Sequence, residues 1–124
     1  MTRDEVLQLH RKALELYGGM PGLREPGALD SSIAQPQTCV FGHERFPTLI
    51  DKAGAYCFFI VRNHPFCDGN KRAGFLAAIH FMLRNGCVLD FDSDRVNEAV
   101  QGAACGVLDV DEFLTAFRDA VRPP

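Results

Sequence analysis

The sequence predicts an all-α fold, a single compact bundle of about six helices with two buried helices at its centre. Three observations carry this. Apolar residues recur at helical spacing along most of the chain. Thr2 with Glu5 and Asp109 with Glu112 form capping-box patterns. The stretches Ala53–Val61 and Ala73–Phe81 are apolar on every side, as expected of buried helices, and are about half a bilayer span.

Each element has a local reason. Thr2 and Glu5 start the first helix, and Val6, Leu9, Ala13 and Leu16 follow at helical spacing until Gly18-Gly19 releases the backbone. Met20 to Gly27, with its prolines and glycines, reads as a loop. Pro26 suits a first helical position, so a short second helix runs from Gly27 to about Gln35, and Pro36 ends or kinks it. Gly42–Pro47 is a turn-rich connection. The first central helix spans Thr48 to Asn63, and the second runs from Asn70 to about Asn85 before Gly86. Cys87–Phe91 reads as extended, without an evident partner strand. Asp92-Ser93 caps a helix to about Cys105, and Asp109 caps a last one ending near Val121.

Composition narrows the function classes. The 124 residues suffice for one domain, 1–124, and 47% hydrophobic with 23% charged residues is a globular balance. A net charge of −3 gives no basic face for general nucleic-acid binding. The N-terminus lacks an apolar signal core, and no run is long enough to cross a membrane, so a cytoplasmic location is expected. Five cysteines without a CxxC pair indicate neither a zinc clamp nor a disulfide framework, and read as reduced core residues. His10 and His43 show no partner pattern, whereas His80 reads as a hydrogen-bonded core residue.

The chemistry lies between the two central helices, in Asn63-His64-Pro65-Phe66-Cys67-Asp68-Gly69-Asn70-Lys71-Arg72. Pro65 disfavours the α region at His64, so the imidazole sits at a helix exit. Gly69 permits the sharp entry into the next helix. Lys71 and Arg72 then fall in a first turn, where the macrodipole and unpaired N–H groups disfavour cations. Such a violation builds an anion site suited to phosphate. Asp68 can bring Mg²⁺ to that phosphate, and His64 is the residue type suited to take a proton from a hydroxyl nucleophile. Phe66 reads as the apolar anchor of the loop. Singly, each residue has an ordinary structural reading; together they indicate phosphoryl or nucleotidyl transfer.

His64-Pro65-Phe66-x-Asp68-Gly69-Asn70-Lys71-Arg72 resembles the signature of the Fic/Doc superfamily, HPFx(D/E)GN-x-R. Tyr17-Gly18-Gly19-Met20-Pro21-Gly22, Pro26-Gly27, Leu83-Arg84-Asn85-Gly86 and Gly102-Ala103-Ala104-Cys105-Gly106 extend the likeness to its Doc, or death-on-curing, toxin branch. The resemblance implies His64 as catalytic base and Asp68 as the Mg²⁺ ligand. Gly69, Asn70 and Lys71 match the anion hole, and Arg72 the phosphate-binding arginine, with ATP as co-substrate.

Most Fic enzymes carry Gly where Lys71 stands and transfer AMP. Doc-type toxins carry Lys there, and γ-phosphate transfer to a threonine of elongation factor Tu in the bacterial cytoplasm is then implied. Pro65 and Gly69 are as in Fic enzymes, so AMP transfer is the alternative, and a non-catalytic helical binding module a second. No Glu of this chain stands in the inhibitory (S/T)xxxE(G/N) pattern. Restraint is therefore expected in trans, from an antitoxin of Phd type.

Overall fold

Four of the six helices among the described residues begin where side chains supply the hydrogen bonds that a first turn lacks. In the computed structural model, which describes residues 1–123, the capping box of α1 (Arg3–Tyr17) is closed at both ends. Glu5 N–H donates to Thr2 Oγ1 at 3.2 Å, and Thr2 N–H donates to Glu5 Oε1 at 3.1 Å. Pro26 opens α2 (Pro26–Ala34), and Pro36 lies in a single 3₁₀ turn, Gln35–Gln37. Thr48 caps α3 (Leu49–Asn63), Asp92 caps α5 (Ser93–Ala104), and an Asp109–Glu112 box caps α6 (Val110–Asp119). By contrast, α4 (Asn70–Arg84) begins on Gly69, with no side-chain cap at all.

The two central helices predicted from sequence are α3 and α4, and no other pair packs so extensively. Gly74 makes the approach possible, because a Cβ there would lie 2.9 Å from both the Cys57 carbonyl oxygen and Val61 Cγ2. On one side of this pair, Phe58, Val96, Phe113 and Phe117 form a core shared with α5 and α6. On the other, Val6, Leu29, Tyr56, Ile60 and Phe66 form a second core with α1 and α2. The loop joining α3 to α4 is thus fixed at its root by both central helices and sealed from behind by α1.

Two short pairings are tertiary findings. β1 (Cys39–Val40) and β2 (His43–Glu44) form an antiparallel hairpin, with Cys39 opposite Glu44 and Val40 opposite His43. Its turn residues, Phe41 and Gly42, have φ values of 50° and 78°, the left-handed pair that a tight hairpin needs. The extended Cys87–Phe91 segment finds its partner after α6: Phe91 bridges to Val121, Asp92 N–H donates to Ala120 O, and Arg122 N–H donates to Asp90 O. That pairing takes Val121 out of the last helix, which ends at Asp119.

The cysteine expectation is corrected. Only Cys57 is buried, its thiol pushed up to about 12 by burial; Cys39, Cys67 and Cys105 are exposed and Cys87 is intermediate. Apolar neighbours in sequence mark a core position only when the residue also faces inward; Cys39, Cys67 and Cys105 do not, and Cys87 is only partly buried against the first core. His80 is likewise half-exposed, hydrogen-bonded at 3.1 Å to Glu5 on α1. No helix of the described residues is long and apolar enough to cross a membrane.

Candidate functional site

At the end of α3 the chain turns through His64 in the left-handed region, at φ 54° and ψ 53°. Pro65 does end the helix as expected, but His64 is not extended. A non-glycine residue in this region costs on the order of 1–3 kcal/mol and persists only where its surroundings enforce it. Here the enforcement is visible. His64 N–H donates to Ile60 O at 3.2 Å, and Arg24 Nη2 donates to the His64 carbonyl at 2.9 Å. The next carbonyl, of Pro65, accepts from the N–H groups of Arg24 and Glu25 at 2.8 and 2.9 Å. An antiparallel bridge pairs Leu23 with Phe66, and Cys67 N–H donates to Gly22 O at 3.0 Å. The segment between α1 and α2 is therefore a strap hydrogen-bonded along the motif loop, and it leaves the His64 side chain exposed.

The back of the loop is sealed. Phe66 is 1% exposed and belongs to the second core. Asn70 is 5% exposed, and its amide grips both polar atoms of Phe66: the Phe66 N–H donates to Oδ1 at 2.9 Å, and Nδ2 donates to the Phe66 carbonyl at 3.0 Å. Its side chain is spent on the loop, so toward an anion it offers its backbone N–H. His10 of α1 completes the seal, its ring stacked on Phe66 with centroids 3.7 Å apart and planes 5° apart. Its Nε2 lies 2.7 Å from the Asp68 carbonyl oxygen.

The front of the loop is open and polar. A cavity of about 260 Å³ is lined by His64, Cys67, Asp68, Gly69, Asn70, Lys71 and Arg72, with Val61, Gly18 and Ala104 around them. Asp68 is exposed, and hydrogen bonds from the N–H groups of Met20 (3.0 Å, to Oδ2) and Gly69 (2.8 Å, to Oδ1) hold its carboxyl below the usual carboxylate range. Gly69 takes φ 77°, the left-handed region that glycine enters without a Cβ penalty, and so allows the sharp entry into α4. The first backbone bond of α4 is Ala73 N–H to Gly69 O, so the N–H groups of Asn70, Lys71 and Arg72 have no acceptor in the helix and no side-chain cap.

The cations beside them are held by neutral groups. Lys71 Nζ donates to Gln101 Oε1 at 2.7 Å, and the Arg72 guanidinium lies over the Tyr17 ring, 4.0 Å from its centroid. Among the described residues neither pairs with a carboxylate. An uncapped helix start with two cations that no carboxylate pairs is an arrangement able to receive an anion such as phosphate. Both cations also line a larger cavity of about 800 Å³, walled by Phe75, Ile79, Leu89, Phe91, Val96 and Val100 between α4 and α5.

The donor set fits a magnesium ion shared with phosphate. Each Asp68 oxygen accepts one N–H and keeps a lone pair free, the residue lines the cavity, and its carboxyl is held below the usual carboxylate range. No group of three or more His, Cys, Asp or Glu among the described residues forms a protein cage. One carboxylate plus phosphate oxygens is the mode that magnesium favours.

The structure thus brings all the sequence-predicted site residues to one cavity. Sequence reasoning missed His10, Arg24 and the Met20 N–H. His10 had a signal: it lies four residues after Val6 and three before Ala13, and these three form the buried stripe of α1, whereas Leu16 is 63% exposed. Arg24 and Met20 had none, since they act through a loop whose path is set by pairing.

Comparison with known proteins shows the family of this chain. The chain is 40% identical over 127 aligned positions to the Toxin Doc of Mycolicibacterium smegmatis, covering 98% of this chain and 95% of that protein. It is 33% identical over 118 positions to the protein kinase doc of Escherichia phage P1, covering 95% and 92% respectively. Residues 1–82, which carry α1 to α3, the motif loop and most of α4, match the model of the Fic/DOC family. With a family match over most of its length, its motif loop intact and relatives that align nearly end to end, this chain belongs to the Fic/DOC family.

Proposed function

We propose that this chain is a Doc-type toxin that transfers the γ-phosphate of ATP to a hydroxyl group of a protein. The observation that carries the reading is the convergence of His64, Asp68, Lys71, Arg72 and the uncapped start of α4 on one cavity. Two relatives, one named a toxin and one a protein kinase, support it.

In this reading the N–H groups of Asn70, Lys71 and Arg72 receive the phosphates, and the two side-chain cations offset the charge of the transferring group. Phosphoryl transfer asks mainly for positioning and charge neutralisation. Magnesium, when bound with ATP at Asp68, supplies further neutralisation. The exposed His64 ring takes the proton from the attacking hydroxyl. Its left-handed backbone, fixed by Arg24 and the strap, keeps the imidazole at the cavity rim. The target we propose is a threonine of elongation factor Tu, in the bacterial cytoplasm. The restraint we propose is an antitoxin of Phd type, whose segment seated in the 800 Å³ cavity would also cover Lys71 and Arg72.

The test is label transfer. The purified chain is incubated with bacterial lysate, magnesium and ATP labelled at either the α- or the γ-phosphate. Transfer of the γ-label alone is expected, with an adduct of about 80 Da rather than about 329 Da for AMP. His64→Ala should lower the rate by roughly 10²–10⁴-fold. An AMP adduct overturns the kinase assignment, and no adduct of either kind overturns the enzymatic reading.

A further inference from the structure

One ionisable side chain beside the site has no part in the chemistry above. His10 lies on α1, is 5% exposed, and meets the motif loop from a distance of 58 residues in sequence. Its partner at 2.7 Å is a backbone carbonyl, which only accepts. The Nε2 atom must therefore carry the proton and donate it.

The bond falls on an informative peptide unit. The carbonyl that His10 holds belongs to the peptide between Asp68 and Gly69, and the N–H of that same peptide donates to Asp68 Oδ1 at 2.8 Å. The unit is gripped at one end by α1, while its other end grips the carboxylate. Gly69, at φ 77°, has no Cβ to resist rotation of this peptide. With the His10 bond removed, only the N–H contact to Oδ1 still holds the plane, and any turn of it would take the N–H away from Oδ1.

We propose that His10 is a positioning residue. Its Nε2–H bond to the Asp68 carbonyl fixes the peptide that orients the Asp68 carboxylate against the start of α4, and so sets the affinity of the site for a divalent cation bound with nucleotide phosphates. This rests on the phosphotransfer reading above. The stack on Phe66 seats the ring, but the donor, not the ring, is what the site requires.

Two variants separate donor from ring. His10→Gln keeps an N–H donor of similar reach and loses the ring; His10→Phe keeps the ring on Phe66 and loses the donor. Binding of the preformed complex of Mn²⁺ with a non-hydrolysable ATP analogue is measured by titration calorimetry against the protein, beside thermal melts. His10→Phe is expected to weaken binding roughly tenfold, with His10→Gln within about threefold of wild type. Wild-type binding by His10→Phe, or weaker binding by Gln than by Phe, overturns the proposal. If neither variant folds, nitrogen NMR of the wild type decides. An Nε2-bound proton whose resonance moves on adding Mg²⁺ and the analogue supports the proposal; an Nδ1-bound proton, or an unmoved resonance, overturns it. A wild-type chain that binds no Mn²⁺ with the analogue overturns the phosphotransfer reading and this inference together. Binding that is intact in wild type and unchanged in His10→Phe overturns this inference alone.

Discussion

Two segments that lie between helices, each six residues long, have opposite character. The loop from His64 to Gly69 is tied to the strap between α1 and α2 by backbone hydrogen bonds, to α4 through Asn70, and to α1 through His10. The β1–β2 hairpin from Cys39 to Glu44 pairs chiefly with itself, and at its tip Phe41 is 97% exposed. Both contain a non-glycine residue at positive φ, His64 in one and Phe41 in the other. The strain at His64 is held by groups from outside its own element, whereas that at Phe41 is held by the turn alone. A side chain that must meet a substrate at a fixed distance needs the first arrangement, because only external bonds define a position relative to the rest of the fold.

The largest way to break this comparison is to remove the anchor of the framed loop. Phe66→Ala should cost about 3–5 kcal/mol in urea denaturation, because the site it leaves lies between α1 and the central helices and cannot collapse. A loss below about 1 kcal/mol would mean that the loop is not pinned through this residue.

A second, smaller effect tests how α1, which carries His10, is held against α4. Burial pushes the Glu5 carboxyl up, but hydrogen bonds from His80, Arg84 and Thr2 outweigh it and bring the group to about 2, against an ordinary 4.5. The folded value is the lower one, so the ionised form stabilises the fold. That contribution is complete above about pH 4.5 and is lost as pH falls through about 2. Glu5→Gln should therefore melt below wild type at neutral pH, and the gap should narrow across that window. A gap that stays constant with pH would show that Glu5 acts by packing rather than by charge.

The smallest effect is expected in the hairpin. Phe41→Ser should change stability by no more than about 0.5 kcal/mol, since its ring touches little that unfolding would expose further. A loss well above that would place the hairpin tip in a packed contact and erase the contrast with the framed loop.

How much of this was legible beforehand follows the range of the interactions. The capping residues Thr2, Asp92 and Asp109 and the all-round apolar α3 and α4 rest on contacts within a few residues, and the helices formed where those signals stand; the cap at Thr48 was seen only in the structure. The motif was legible for the same reason, with His64, Asp68, Lys71 and Arg72 within nine consecutive residues. The hairpin was not, because Phe41 in a left-handed turn contradicts its own preference. Nor was the pairing of Phe91 with Val121, or the exposure of Cys39, Cys67 and Cys105.

By itself, then, the sequence determined the six helices, the two at the centre, and the residue types gathered at the start of α4. Only the tertiary structure decided the frame around them: His10 beneath Asp68, Arg24 on the His64 carbonyl, and the Met20 N–H on the Asp68 carboxylate. The physical reason is that helix periodicity and capping are local, and so leave a pattern along the chain. A hydrogen bond from one segment to the backbone of another needs only a donor at the right place in space. Any residue offers the backbone half of such a bond, so composition and spacing carry no trace of it.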